Sequence, residues 1–402
     1  MLTIEAAQTV VLDHVSALPP ATAALADAPG LVLAEDVVSD LDMPPYDKAM
    51  MDGYAVRLAD LPGGRGTLTV IEEITAGKTP SRALGPGQAA RIMTGAPIPY
   101  GTDAVVQVER THSGVDGQVQ VNDPGVKAGQ HLLTRGREMR LGDVVVRRGT
   151  VLRPQEIGVL ATVGRPSVQV IPRPKVAVLP TGDELVEPHQ KPGPGQIRNG
   201  NGPALVAQIV RGGGVPRYLG IAPDQLDSLK AMIASGLQSD VLLLSGGVSA
   251  GKLDLVPDVL RELGVQAHFH KVAMKPGKPL LFGTRDKTLV FGLPGNPVST
   301  FLCFELFVRP ALRLLRGMKD PGINLPTATL TEDYTYHTDR PTYHPAKLET
   351  TPEGWRARVV PWFGSPDLRG LTNCDCFVVF PAGDHCHRAG QMFPVLRMES
   401  SD

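Results

Sequence analysis

VLLLSGGVSAGKLD, residues 241–254, opens with Val241 and three leucines and runs directly into Ser245, Gly246 and Gly247. A short unbroken apolar run bounded by glycine reads as a strand covered on both faces, the pattern of a parallel sheet. Gly246, Gly251 and Lys252 fall at the spacing of a nucleotide-binding P-loop. That loop needs Ser or Thr directly after the lysine, because the hydroxyl holds magnesium. Leu253 stands there instead, followed by Asp254, and Pro257 comes too soon for a long helix. A P-loop kinase or ATPase is therefore disfavoured, and the glycines call for another chemistry.

Outward from this strand the chain alternates. KVAVLPTGDEL (175–185), PRYLGIAPD (216–224) and DVLLLSGG (240–247) read as strands, with helices GPALVAQIVRGGG (202–214) and QLDSLKAMIASGL (225–237) between them. Helix DLVPDVLRELG (254–264) and strands VQAHFHKVAM (265–274), PLLFG (279–283) and TLVFGLPGNP (288–297) follow, then one long apolar helix over about 297–316. Such alternation predicts a mainly parallel α/β sheet with helices on both faces. Residues 3–17 have the apolar spacing of an amphipathic helix, which LPP at 18–20 ends. From 30 to 150 short β-branched runs broken by glycine predict a β-rich module, a helix follows at about 154–163, and the last stretch, from about 319, is again strand-rich.

Composition narrows the function. A chain of 402 residues is too long for a single ordinary core, since domains run to roughly 100–200 residues. With 40 basic against 41 acidic residues there is no electrostatic footprint for nucleic acid or a membrane surface. No run approaches the ~18 apolar residues of a membrane span, and MLTIEAAQTVVLDHV lacks a basic-then-apolar signal pattern, which predicts a cytoplasmic protein. Cys374, Cys376 and Cys386, with His385 and His387, do not match a standard zinc spacing and read as reduced thiols.

In an open α/β sheet, ligands bind beyond the carboxyl ends of the strands. Thr181-Gly182-Asp183-Glu184, Asp224, Ser245-Gly246-Gly247, Ser249 and Asp254 all follow predicted strands, as do Lys271, Lys275-Pro276-Gly277-Lys278-Pro279 and Pro294-Gly295-Asn296-Pro297. Taken singly, TGDE and SGG also fit ordinary strand-to-helix turns capped by Asp or Ser. Five such segments at one end of one sheet argue for a site instead. The glycine amides would make an anion nest, the serines would add hydroxyls and the lysines would offset phosphate charge. Asp183, Glu184, Asp224 and Asp254 beside a phosphate would need a hard divalent cation between them, which suits magnesium. A second cluster, MPPYDKAMMDGYAVR (43–57) and ARIMTGAPIPYGTDAVV (90–106), carries Asp52 and Thr94, and by itself also fits two hairpin turns.

Six segments in order, MPPYDKAMMDGYAV, RIMTGAPIP, TGDEL, SGGVSAGKLD, KPGKP and GLPGNPVS, resemble the MoeA family, the molybdopterin molybdenumtransferases, to which the C-terminal domain of gephyrin is related. The resemblance implies an extended N-terminal domain (1–49 with 140–171), an inserted β-rich domain (50–139), an α/β molybdopterin-binding domain (172–318) and a C-terminal β barrel (319–402). It further implies a homodimer with shared active sites and a magnesium-dependent insertion of molybdate into adenylylated molybdopterin, with release of AMP. The partners implied are a molybdopterin adenylyltransferase and recipient molybdoenzymes. By position, Asp52, Thr94, Glu184, Asp224, Asp254, Lys271 and Lys275 match residues tied to activity. Glu184, Asp224 and Asp254 would hold the metal, and Thr181, Gly182, Asp183, Ser245, Gly246, Gly247, Ser249, Lys278, Pro294, Asn296 and Pro297 would cradle the pterin nucleotide.

Three places depart from the family pattern. Lys48-Ala49-Met50 replaces Asn-Ser-Ala, Leu133 stands for an expected Arg, and Glu138 stands for an Asp. In the last domain an expected Arg is missing from DRPTYHPAKL (339–348), and these departures together would alter oxyanion handling or share it with Arg135, Arg137 and Arg140. A non-catalytic scaffold of the same fold is the rival function.

Overall fold

The computed structural model describes residues 1–248, 255–322 and 324–398. Val241–Ser245 is buried along its whole length and lies parallel to Lys175–Pro180 on one side and Thr288–Leu293 on the other. Val241 and Leu243 enter the core on one face of the sheet, Leu242 and Leu244 the core on the other. That alternation is the two-residue period of a strand, and cover on both faces is why every position is apolar. The strand order is Val215–Tyr218, Lys175–Pro180, Val241–Ser245, Thr288–Leu293, Leu281–Arg285, Gln266–Phe269. The first four are parallel, and Leu281–Arg285 runs antiparallel to both of its neighbours, so the sheet is mixed around a parallel centre.

One face is covered by the helix Asn201–Arg211 and by the segment following Pro297, the other by helices Leu226–Gly236 and Val256–Glu262. The N-terminal helix, Ile4–Asp13, is capped by the Thr3 hydroxyl and buries Ile4, Ala7 and Val11 in the first of these cores. The long helix predicted over 297–316 is interrupted. It runs as an α-helix over Pro297–Cys303, a π turn over Phe304–Val308 and an α-helix over Arg309–Leu315. Pro310 has no N–H to give to Leu306, so the α-helical ladder loses a bond at that point and the register slips.

In the N-terminal half, six strands pair in the order Ala104–Gln107, Gly53–Val56, Gln88–Ile92, Arg65–Ile74, Gln118–Asn122, Thr111–Ser113. Gly53 is required there, because a Cβ would lie 1.9 Å from the Val106 carbonyl oxygen. The chain on either side of this sheet joins up again. Ala21–Ala24 and Val32–Leu33 pair with Ser167–Ile171, and Val37–Val38 pairs with Val144–Val146, over one shared core.

Near the C-terminus, Thr327–Leu330, Gly354–Val359, Thr342–Thr351, Cys376–Phe380 and Met392–Arg397 close into a barrel. The barrel docks on the α/β core through Tyr343, Phe377 and Leu396. Two backbone bonds, Lys275 N–H to Pro341 O at 2.9 Å and Tyr343 N–H to Lys275 O at 2.8 Å, stitch the KPGKP loop to it. Among the described residues no helix is long and apolar enough to cross a membrane.

Candidate functional site

Strand register sets the site. Pro180 lies opposite Ser245, and Ser245 opposite Leu293, so three neighbouring parallel strands end at one level. The chain then leaves the sheet at Thr181, Gly246 and Pro294. Gly246 and Gly247 have φ of 96° and 64°, and a Cβ on either would come within 2.8 Å of a Thr181 atom. Glycine is thus imposed twice, by conformation and by the crowding of adjacent strand ends. Between these ends and the barrel opens a cleft of about 840 Å³.

Thr181, Glu184, Ser245 and Gly246 line this cleft, as do Lys275, Lys278, Pro294, Asn296 and Pro297. Gly182, Asp183, Asp224, Gly247 and Lys271 stand outside its lining. Asp183 is engaged elsewhere: its carboxylate accepts the Asp224 N–H at 3.0 Å and braces the next loop. The Gly246 N–H donates to Leu293 O at 3.2 Å, so this amide is committed to the sheet rather than to an anion nest. Ser249 and Asp254 fall outside the described residues.

Residues far along the sequence complete the walls. Asn201 donates from Nδ2 to Ser245 Oγ at 2.9 Å and to Gly295 O at 2.7 Å, tying the start of one helix to two strand ends. The barrel contributes Arg340, Tyr336, His344, Trp362, Phe363 and Ser365. Arg340 in DRPTYHPAKL therefore brings a barrel cation to the cleft, beside Lys275 and Lys278. The Lys275 ammonium lies 5.2 Å from the Tyr336 ring centre, within cation–π range. Arg340 hydrogen-bonds Asp339 and, with Lys278 nearby, holds that carboxyl below its usual range. Two helix N-termini, at Asn201 and Pro297, open on the same space and add positive potential. The cleft is built for an anion.

Asp52 and Thr94 meet in space but not in this cleft. Asp52 Oδ1 accepts from the Thr94 N–H and hydroxyl, both at 2.7 Å. The hydroxyl bond is the larger cause, and the amide bond the second, of an Asp52 carboxyl held below its ordinary range. The positions that depart from the family pattern also converge. Leu133 lies opposite Lys48 in a short antiparallel pair, and Lys48 Nζ is 3.2 Å from Glu138.

The described residues contain no group of three or more His, Cys, Asp or Glu able to hold a metal ion. Of the three carboxylates singled out for magnesium, Glu184 lines the cleft, Asp224 stands outside its lining and Asp254 lies outside the described residues. A lining carboxylate suits a magnesium ion that arrives on substrate phosphates and keeps its waters.

His344, 4% exposed, packs between Tyr334 and Trp362, with ring centres 5.0 and 5.2 Å away. Burial pushes its pKa down to about 4 from 6.5, partly countered by the Pro345 carbonyl. The unfolded chain therefore binds a proton that the folded chain refuses between those two values. Stability is full above pH 6.5 and declines as pH falls towards 4, by an amount on the order of 3 kcal/mol. Thermal midpoints at pH 7.5 and 5 should fall further for the native chain than for His344→Phe. Equal falls would contradict this origin.

The chain matches three family models in succession: the MoeA N-terminal region (domains I and II) over residues 2–164, a probable molybdopterin binding domain over 177–314, and the MoeA C-terminal region (domain IV) over 327–398. A molybdopterin molybdenumtransferase of Staphylococcus aureus is 35% identical over 98% of this chain and 95% of its own length. Molybdopterin molybdenumtransferase 2 of Mycobacterium tuberculosis is 37% identical over 83% of this chain and 85% of its own. Two crystal structures of the molybdopterin biosynthesis MoeA protein of Pyrococcus horikoshii superpose with TM-scores of 0.84 and 0.81, at 33% and 30% identity, over 100% and 98% of this chain and all of theirs. The fold is the multidomain MoeA fold, with a domain matching a probable molybdopterin binding domain at its centre. The chain belongs to the MoeA family of molybdenum cofactor biosynthesis.

Proposed function

We propose that this chain is a molybdopterin molybdenumtransferase, which inserts molybdate into adenylylated molybdopterin and releases AMP. The observation that carries this reading is the gathering of Lys275, Lys278 and Arg340 in one cleft with two helix N-termini. Both substrates are anions, a nucleotide-linked pterin phosphate and an oxyanion. Fixed cations at their meeting point stabilise the charge that develops as the phosphoanhydride bond breaks and AMP leaves. Ser245 and Asn201, bonded to each other, supply oriented polar groups on the strand-end side. Magnesium, when bound with the phosphates near Glu184, would neutralise part of their charge.

The division into domains at 1–49 with 140–171, 50–139, 172–318 and 319–402 is supported by the pairing of residues 21–38 with 144–171 around the inserted sheet. A homodimer gives Asp52 and Thr94 a role, because they lie outside their own chain's cleft and would serve that of a second copy. A cytoplasmic setting, an adenylylating partner and recipient molybdoenzymes complete the reading. Asp254→Ala tests it against the scaffold alternative. An insertase should lose AMP release in this variant while keeping its fold. A variant releasing AMP at the native rate would remove Asp254 from the machinery.

A further inference from the structure

Phe363 is 92% exposed, yet it lines the cleft. An exposed phenylalanine at the mouth of a polar, cationic site contributes little as packing, and its ring face is open to whatever planar group the cleft takes. It is also not on a loose loop. Asn296 Nδ2 donates to Ser365 Oγ at 2.9 Å, and Val298 N–H donates to Ser365 O at 3.1 Å. Asp367 accepts the Phe363 N–H at 3.2 Å and the Gly370 N–H at 3.0 Å. The ring is therefore carried on a turn clamped to the N-terminus of the helix that begins at Pro297. Ile197, 58% exposed, lines the same cleft and adds a second apolar surface open to water.

We propose that Phe363 is a stacking residue for a planar heteroaromatic ring of the ligand whose phosphate lies among Lys275, Lys278 and Arg340. The inference rests on the function proposed above, because that substrate carries two such rings, pterin and adenine. A ring on a rigid turn offers its face to either at little entropic cost, and stacking needs no hydrogen-bond code. Phe363 is thus a positioning and affinity residue, expected to act on KM and not on the bond-breaking step.

The test uses the full chain with Phe363→Ala and Phe363→Trp. Phe363→Ala should raise KM for adenylylated molybdopterin about tenfold, the usual scale for losing one base–aromatic stack, with kcat within about twofold of native. Phe363→Trp should restore KM, and its fluorescence beyond that of Trp355 and Trp362 should be quenched by ligand. AMP, molybdopterin and ribose 5-phosphate are titrated separately. Weakened AMP binding in Phe363→Ala assigns the stack to adenine, and weakened molybdopterin binding with unchanged AMP binding assigns it to the pterin. Ribose 5-phosphate, having no aromatic ring, should bind native and variant alike. Native turnover with an unchanged KM in Phe363→Ala overturns this proposal alone. A shift of oligomeric state in that variant also overturns it, placing Phe363 against a second copy. Absence of both binding and turnover in the unaltered chain overturns the functional reading, and this inference with it.

Discussion

Lys275→Ala is expected to lower the rate of AMP release by about 10²–10³-fold, the scale for removing one preorganised charge-stabilising group from an enclosed site. The backbone of Lys275 is held on both sides by the barrel, through Pro341 O and the Tyr343 N–H, and its ammonium is steadied against Tyr336. Little reorganisation is then needed as charge develops. Lys275→Arg keeps the charge but not the compact ammonium geometry, and should recover only part of the rate. Far-ultraviolet circular dichroism should be unchanged in both. The measurement is single-turnover AMP release; a rate within threefold of native for Lys275→Ala would remove this residue from the chemistry.

The largest stability effect is expected at Glu305, which is 1% exposed within the π turn. Its carboxylate accepts from Arg211, from Gln208 Nε2 at 2.7 Å and from Arg309 Nε at 2.9 Å. Arg211 in turn donates to Met398 O at 2.7 Å, so the same network ties the helix Asn201–Arg211 to the end of the barrel. Glu305→Ala leaves the buried Arg309 guanidinium, and the part-exposed Arg211 beside it, without their anion. Breaking a buried pair in this way costs about 3–5 kcal/mol. The thermal midpoint should fall by many degrees, and the cleft between α/β domain and barrel should lose its ligand affinity as the barrel loosens. Replacing Glu305, Arg211 and Arg309 together by Leu, Leu and Met should recover much of the midpoint, since the charges vanish as a set. A single Glu305→Ala variant that melts with the native chain would contradict the network's role.

The α/β fold was legible because its evidence is local. Four aliphatic residues before Gly246 leave few alternatives to a buried parallel strand, and the glycine turns mark its carboxyl end. The strand-end residues Thr181, Ser245, Lys275, Lys278 and Asn296 were legible for the same reason. Phe363 was not, because it reaches the cleft only when the barrel closes and docks, and nothing in PWFGSP announces that contact; Arg340 stands in DRPTYHPAKL, where matching by position found an expected Arg missing. The break in the last helix did carry a signal, Pro310, which a reading by apolar periodicity passes over. Asp183 shows the opposite failure: a carboxylate in a site-like motif that serves the backbone of its neighbour. Lys48, Leu133 and Glu138 read as three separate departures, and only their pairing in space shows that they meet.

The central claim is that this cleft releases AMP because molybdate is inserted, and is not merely a place where pterin nucleotide rests. Adenylylated molybdopterin is bound to the full chain in single-turnover amounts, magnesium is present, and AMP is followed by chromatography with and without molybdate. The account predicts rapid AMP release with molybdate and little without it. Tight binding with no release in either arm, or release at the same rate in both, would contradict it.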